Sequence, residues 1–553
     1  MHLARYFHTI RYLKPVQVFG RVWFVCHRPS VRMGSIPALR KMTGAWVSPV
    51  ARKTAMLSPS RFSFLNEEHE LSSAADWNNP GWEKLWLYHL HYFDDLTAAD
   101  AVARTDWHRD LITRWIDDNP MGQGNGWEPY PTSRRMVNWI KWVLAGNLLP
   151  PDAVANLAIQ ARFLYKRLEW HILGNHLLAN GKALIFAGLF FDGNEADAWR
   201  RKGIAIFMHQ LKEQILEDGG HFERSPMYHA QVLEDILDIL NILHAFPQCV
   251  FPDRNALLQQ CEIAGADMLA WLRVMRHPDG EIVLFNDAAF GDAAEPEALE
   301  EYAARLNVMA RNRRSSIVYH DLSKFTCLND TGYVRVDNGD MVAFLNVAPI
   351  GPDYIPGHAH ADTLSFEFSM GRQRVIVDSG VSRYGEGSER RRQRGTAAHN
   401  TVEIDGQDSS EVWAGFRVAR RAYPLDLRID AEEGVVSCAH DGYRRLPGRP
   451  IHRREWRFQK GGLQVRDEIK GHFRKAVGRF HFHPDIKIMP AADGCDKGTI
   501  ILPEGREISW HIEQGKGSLS ETTWHPEFGL SIPNKSLEIH FMGREAMVDL
   551  SWK

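Results

Sequence analysis

Gly332-Tyr333-Val334-Arg335-Val336 and Met341-Val342-Ala343-Phe344-Leu345-Asn346-Val347 flank the short run Asp337-Asn338-Gly339-Asp340. Two runs rich in β-branched and aromatic residues, joined by Asn-Gly turn chemistry, predict an antiparallel hairpin. The same texture continues toward the C-terminus in 364–368, 374–378, 401–404 and 463–467, with Asp405-Gly406 as a further turn signal. Toward the N-terminus it stops. From about residue 75 to 311, apolar residues recur with the 3.6-residue period of helices, as in 107–116, 136–144, 157–168, 177–191, 198–215 and 227–246. Asn119-Pro120, Leu149-Pro150-Pro151 and Asp218-Gly219-Gly220 punctuate them. Long helices with short links predict antiparallel pairs packed in layers, as in an α/α toroid. Helices followed by strands predict separate domains. The expected division is an N-terminal extension over 1–74, an α/α toroid over 75–312 and an antiparallel β-sandwich over 313–553. The change of texture falls between Asn312 and Leu322.

The 553 residues are too many for one ordinary core. Apolar residues make up 44% and charged residues 24%, as in a globular protein. Eighteen Trp suit sugar rings and helix packing equally, so composition does not choose between them. Sixty-six basic residues against 69 acidic ones leave a net charge of −3. No global field draws nucleic acid, and positive charge for an anionic substrate must be local. The cysteines (Cys26, Cys249, Cys261, Cys327, Cys438, Cys495) are scattered without CxxC, which predicts neither a disulfide framework nor a cysteine metal site.

Arg5, Arg11, Lys14 and Arg21 interrupt any signal-peptide core, and no run approaches the ~18 apolar residues of a membrane span. With no export signal or transmembrane segment visible, a cytoplasmic location is the default expectation. The first sixty residues, with Pro15, Pro29, Pro37, Pro49 and Pro59, read as irregular. Tyr6, Phe7, Tyr12, Phe19, Trp23 and Phe24 suit an amphipathic helix against a membrane, a partner or the protein itself, with the last favoured. The sequence does not fix an oligomeric state.

Gly357-His358-Ala359-His360-Ala361-Asp362 is the densest polar motif of the β half. On a strand, residues two apart share a face, so His358 and His360 are expected side by side. Asp378 ends an apolar run, and Ala398-His399-Asn400 adds a third imidazole. Such a set suits a divalent ion, zinc first; hydrogen-bonded histidines at a sheet edge are the plainer alternative. In the helical half, Asn175-His176 opens a helix, where Asn also serves as an N-cap. Glu223-Arg224-Ser225-Pro226-Met227-Tyr228-His229 enters another helix, with Ser225 as cap and Pro226 in the first turn. Arg134 and Arg135 add local positive charge. Phe285-Asn286-Asp287 supplies an amide and a carboxylate.

Asn175-His176, Arg224-Ser225-Pro226-Met227-Tyr228-His229, Gly357-His358-Ala359-His360-Ala361-Asp362, Val377-Asp378-Ser379-Gly380 and His399-Asn400 occur in this order. Together they resemble the heparinase II/III-like polysaccharide lyases, a group that includes oligoalginate lyases. The resemblance spans roughly 75–539. It implies an α/α toroid followed by an antiparallel β-sandwich, and cleavage beside a uronic acid by β-elimination. It implies catalytic roles for Asn175, His176, Tyr228 and His358. Asn175, with His176 beside it, neutralises the substrate carboxylate; Tyr228 and His358 move the protons. Arg135, Glu223 and Arg224 are expected to bind the anionic polysaccharide or oligosaccharide. The resemblance places a structural divalent metal, zinc first, on His360, Asp378 and His399. An unperturbed Tyr, with a pKa of about 10, is a poor base; Arg135 and Arg224 are expected to lower it. Secreted members usually carry export signals, so a periplasmic or secreted location is the family-based alternative. Two rival functions remain open: a toroid glycoside hydrolase using Glu223 and Asp287, and a non-catalytic glycan-binding protein of polysaccharide biosynthesis.

Overall fold

The computed structural model describes residues 2–31, 34–310, 317–320 and 324–553. The expected change point at 312–322 lies outside the described residues except for 317–320. Among the described residues there are twelve α-helices. The first two are α1 (His2–Ile10) and α2 (Pro15–Cys26), in a stretch that reads as irregular. Pro15 opens α2 at its first helical position, where a missing N–H costs nothing. A hairpin, Arg61–Phe64 with Glu67–Glu70, follows.

The helical half comprises α3 (Lys84–Tyr92), α4 (Thr105–Asp118), α5 (Pro129–Leu144), α6 (Pro151–Lys166), α7 (Gly174–Phe190), α8 (Asn194–Gln214), α9 (Pro226–Ala245), α10 (Arg254–Val274) and α11 (Pro296–Arg305). In α7 only His176 escapes burial, so this helix is enclosed by its neighbours. Trp77, Trp86, Trp115, Trp139 and Trp199 are fully buried. Much of the tryptophan content therefore packs helices. The same core takes in Val377, Val381, Trp524 and Phe528 from the β half, so one apolar mass crosses between the two halves.

The β half opens with six antiparallel strands in sequence order, from Ile317–His320 to Gln373–Ile376. Tyr333 pairs with Asn346 and Asn338 with Met341, the hairpin expected from the turn chemistry. An eight-stranded sheet runs in the spatial order Pro424–Asp430, Val435–His440, Ile451–Gln459, Gly462–Lys470, Glu545–Trp552, Glu507–Gln514, Gly494–Ile501, Lys487–Ala491. A four-stranded sheet is built from Lys516–Trp524, Ile532–His540, Ala476–His481 and Val402–Ile404. Burial alternates along Ile451–Gln459, which turns one face inward. Phe366, Phe368, Trp456, Val465, Phe480, Trp510 and Leu550 interdigitate in the core. The short α12 (Ser388–Arg394) is inserted among these strands. No described helix is long and apolar enough to cross a membrane.

Candidate functional site

Tyr228 lies in the first turn of α9. Ser225 Oγ caps the helix by accepting from the Tyr228 amide at 3.2 Å and donates to the Asp287 carbonyl at 2.6 Å. The cap thus ties the helix start to the loop that delivers Asp287. The Tyr228 hydroxyl meets the Tyr384 hydroxyl at 2.9 Å. Its ring stacks on His358 with centroids 3.8 Å apart. Burial, then Tyr384 and Asp287, push the Tyr228 pKa well above its ordinary value. This corrects the expectation of a depressed phenol. Neither expected cation plays that part. Arg135 is fully buried in the helical core, stacked 3.7 Å over Trp115 and bonded to Gln160. Arg224 sends its guanidinium to the carbonyls of Thr331, Asp330 and Phe222. Both guanidiniums are thus engaged within the protein and neither contacts Tyr228.

His358 and His360 are not on a strand; they sit in a turn and a loop. They still converge, because one carboxylate gathers them. Asp287 Oδ2 lies 2.9 Å from His358 Nδ1, and Oδ1 lies 2.8 Å from His360 Nε2. Arg390, from α12, donates to both oxygens of Asp287, at 2.7 Å to Oδ2 and through a shorter contact to Oδ1. Burial alone would raise the Asp287 pKa; Arg390, His358 and His360 outweigh it and hold the group well below its ordinary value. An ionised Asp287 accepts from each imidazole, which leaves His358 Nε2 and His360 Nδ1 as the basic nitrogens.

Asn175 is the second residue of α7, not its cap; Leu173 occupies that position. Gly174 has φ +55°, and a Cβ there would stand 2.8 Å from Glu223 Oε1, so this close approach requires glycine. Glu223 is buried, with Oε2 3.6 Å from His358 Nε2. Burial raises its pKa, opposed by His358, the Asn175 amide and His176. His176 Nδ1 lies 3.0 Å from Glu169. Burial lowers the His176 pKa, but Glu169, Glu223 and Glu128 prevail and raise it, favouring the cation. Asn175, His176, Glu223, His358 and Tyr228 therefore form one connected group. Asp287 and Glu223 stand on opposite sides of the His358 ring, and both Asp287 oxygens are committed. The hydrolase arrangement, two carboxylates facing one glycosidic bond, is not formed by this pair.

Sequence reasoning passed over Arg390 and Tyr384 and saw Asp287 only as a hydrolase acid. The 389–394 run carries four arginines within six residues. Arg390 and Arg394 are fully buried while Arg391 and Arg392 are not. The i,i+4 spacing of two arginines was the available signal.

For a metal, the test is which donors are left over. His360 Nδ1, His399 Nε2 and Asp362 Oδ2 are buried without partners. The two imidazoles are 5.2 Å apart by centroid. Asp378 is occupied: Oδ2 faces His399 Nδ1 at 2.8 Å and Oδ1 accepts from the Gly380 amide at 3.1 Å. Among the described residues no three His, Cys, Asp or Glu side chains converge as a ready ligand set. His360 Nδ1 and His399 Nε2 are thus the two imidazole nitrogens left free for a ligand. Asp378 acts here as the carboxylate orienting His399.

A cavity of about 210 Å³ is lined by Arg52, Lys53, Phe64, His89, Asp292 and Phe528, among others. It adjoins the group around Tyr228 through α9, since Gln231, one turn after Tyr228, bonds Asp292 at 2.7 Å. A row of rings leads from it to the start of α7: His89 to Tyr92 at 5.1 Å, Tyr92 to Tyr130 at 5.9 Å, Tyr130 to His176 at 4.5 Å. Arg52 and Lys53 share this lining with Asp94, Asp292 and Glu527, and Arg52 is paired with Glu234 at 2.6 Å.

Residues 102–313 match the family model described as heparinase II/III N-terminus, and residues 321–553 the model heparinase II/III-like, C-terminal. A heparin-sulfate lyase of Bacteroides stercoris is 27% identical over 378 residues, 59% of this chain and 54% of that protein. FtsZ-localized protein C of Caulobacter vibrioides is 26% identical over 464 residues, 76% of this chain and 73% of that protein. The chain spans about half the length of the heparin-sulfate lyases of Bacteroides stercoris and Pedobacter heparinus that it matches. A crystal structure of heparinase III shares the fold with a TM-score of 0.63 at 17% identity, covering 97% of this chain and 85% of that one. A heparan sulfate lyase mutant from Pedobacter heparinus gives 0.57 at 17% identity, covering 97% and 87%. With both halves matched in order, the chain belongs to the heparinase II/III-like family of polysaccharide lyases.

Proposed function

We propose that this chain cleaves a uronate-containing glycan by β-elimination. The observation that carries the reading is the stack of His358 on a protonated Tyr228, with Asp287 fixing the His358 tautomer. His358 Nε2 takes the C5 proton. The C–H electron pair forms the C4=C5 double bond, the C4–O4 bond breaks, and Tyr228 delivers its proton to O4. Asp287 stabilises the imidazolium, as an orienting carboxylate does in a triad. The charge that builds on the substrate carboxylate is met by Asn175 and cationic His176. Glu223 lies beside His358 on the substrate side and positions it.

The test is incubation of the purified protein with heparan sulfate and with alginate. Elimination produces an unsaturated uronate that absorbs in the ultraviolet. Hydrolysis produces new reducing ends without that absorbance. A second reading is a non-catalytic glycan-binding role, since one relative matched over most of this chain, FtsZ-localized protein C, carries no enzyme activity in its name; binding without either product selects it.

His176 gives the reaction a pH signature. As a cation it helps neutralise the substrate carboxylate, so activity falls as pH rises through its pKa. Glu169 is the first group that raises that pKa. Glu169→Gln is therefore expected to move the alkaline limb of kcat/KM to lower pH. A limb that stays in place removes His176 from this role.

A divalent ion, zinc first, would be held by His360 and His399, with Asp378 behind His399. It would tie two loops of the sandwich together and supply no nucleophile. His399→Ala is expected to lower bound metal, measured by elemental analysis, and the Tm together, because an ion that binds only the folded state stabilises it by mass action. No metal in the parent protein, after refolding with zinc, counts against the site.

A further inference from the structure

Helices α1 and α2, joined by residues 11–14, touch both halves of the molecule. On the β side, Tyr6 meets Trp413 edge-on at 4.9 Å, Trp413 Nε1 donates to Thr9 at 3.1 Å, and the Arg421 guanidinium lies 3.7 Å over Tyr12. On the helical side, Phe24 packs on His171 at 4.0 Å, and Lys14 pairs with Glu213. Gln17 Nε2 donates to the Tyr354 carbonyl at 3.1 Å. One face of the two helices is thus accounted for.

The opposite face is apolar and open. Leu3, Phe7, Phe19, Val22, Trp23 and Val25 are exposed, Phe19 by 74% and Trp23 by 62%. Large aromatic and aliphatic side chains held together in this way mark an interaction surface. The charge around them is one-sided. Residues 1–28 contain Arg5, Arg11, Lys14, Arg21 and Arg28 and no acidic residue; the first acidic residue is Glu67. The rest of the chain holds 61 basic against 69 acidic residues. Lys14 is taken by Glu213, which leaves arginines flanking the apolar face.

We propose that these two helices dock the protein on an anionic phospholipid surface. Two helices of nine and twelve residues are too short to span a bilayer but suited to lying in its interface, with apolar side chains among the acyl chains and arginines at the headgroups. A second copy of the chain is disfavoured as occupant. A two-fold contact would set the same arginines against their own copies with no acid to pair them. The proposal is independent of the lyase reading, because its test reads binding and not turnover.

The full chain is to be sedimented with vesicles of phosphatidylcholine alone and of phosphatidylcholine with phosphatidylglycerol. Binding is expected only with phosphatidylglycerol, weakening with added salt. Phe19→Glu with Trp23→Glu is expected to abolish it. Arg11→Gln with Arg21→Gln is expected to weaken it about fivefold per charge. All four side chains are on the surface, so unchanged thermal unfolding serves as the folding control. As a second readout, the emission of the Trp23→Phe variant should lose the blue shift that vesicles give the parent. Absence of vesicle binding overturns the proposal, and so does undiminished binding by the glutamate variant. A concentration-dependent dimer broken by that variant also overturns it and assigns the face to a second copy.

Discussion

Tyr228→Phe is expected to lower the elimination rate by about 10²–10⁴-fold while leaving the fold intact, the range typical of a positioned acid-base group. The substitution removes one oxygen. The ring stack on His358 and the Ser225 cap do not involve that oxygen and remain. The structural cost is one hydroxyl contact, that to Tyr384, which amounts to about 1 kcal/mol when neutral groups are involved. The proposed mechanism takes its direction of transfer from the stack on His358 and the buried hydroxyl. In that mechanism a phenol kept protonated by burial donates to the leaving O4 and leaves the C5 proton to His358. A substrate whose leaving group needs no proton should therefore recover much of the lost rate in Tyr228→Phe, and none in His358→Ala. Near-parental turnover of Tyr228→Phe on a confirmed substrate would falsify the assignment. Rescue of His358→Ala without rescue of Tyr228→Phe would exchange the roles.

The fold was legible because its signals are local. The hairpin at 333–346 was readable from its turn, and the helical half from its period. The N-terminal helices were legible only as an amphipathic pattern from Tyr6 to Phe24; the prolines obscured their bounds, and one of them, Pro15, opens α2. The site was legible as a set of residues but not as a geometry. His358 and His360 do lie on one side, yet the cause is not strand alternation. They are gathered by Asp287, 71 and 73 positions away in sequence, a separation no short motif contains. Arg135 and Arg224 illustrate the opposite failure. A charged residue near a motif looks like a substrate ligand until its burial and carbonyl partners are known.

Arg390→Met is the variant with the largest expected effect on stability. Arg390 and Asp287 are both fully buried, and the guanidinium meets the carboxylate through two parallel contacts. Removing the cation leaves an uncompensated buried charge, which costs about 3–5 kcal/mol. Asp287 then regains stability only by taking up a proton. That proton disturbs the acceptors that hold His358 Nδ1 and His360 Nε2, so activity should fall with stability. Arg390→Lys should land between the two, since a lysine keeps the charge but not the planar fork. The double variant Arg390→Met with Asp287→Asn separates the two consequences. It removes both charges, so much of the stability should return. Activity should not, because a neutral amide no longer stabilises the imidazolium that His358 becomes. Urea unfolding of the four proteins measures the first effect, and ultraviolet product formation the second. A double variant as unstable as Arg390→Met alone would mean that the arginine works through its bond to the Gly415 carbonyl, 3.1 Å from Nε, and not through Asp287.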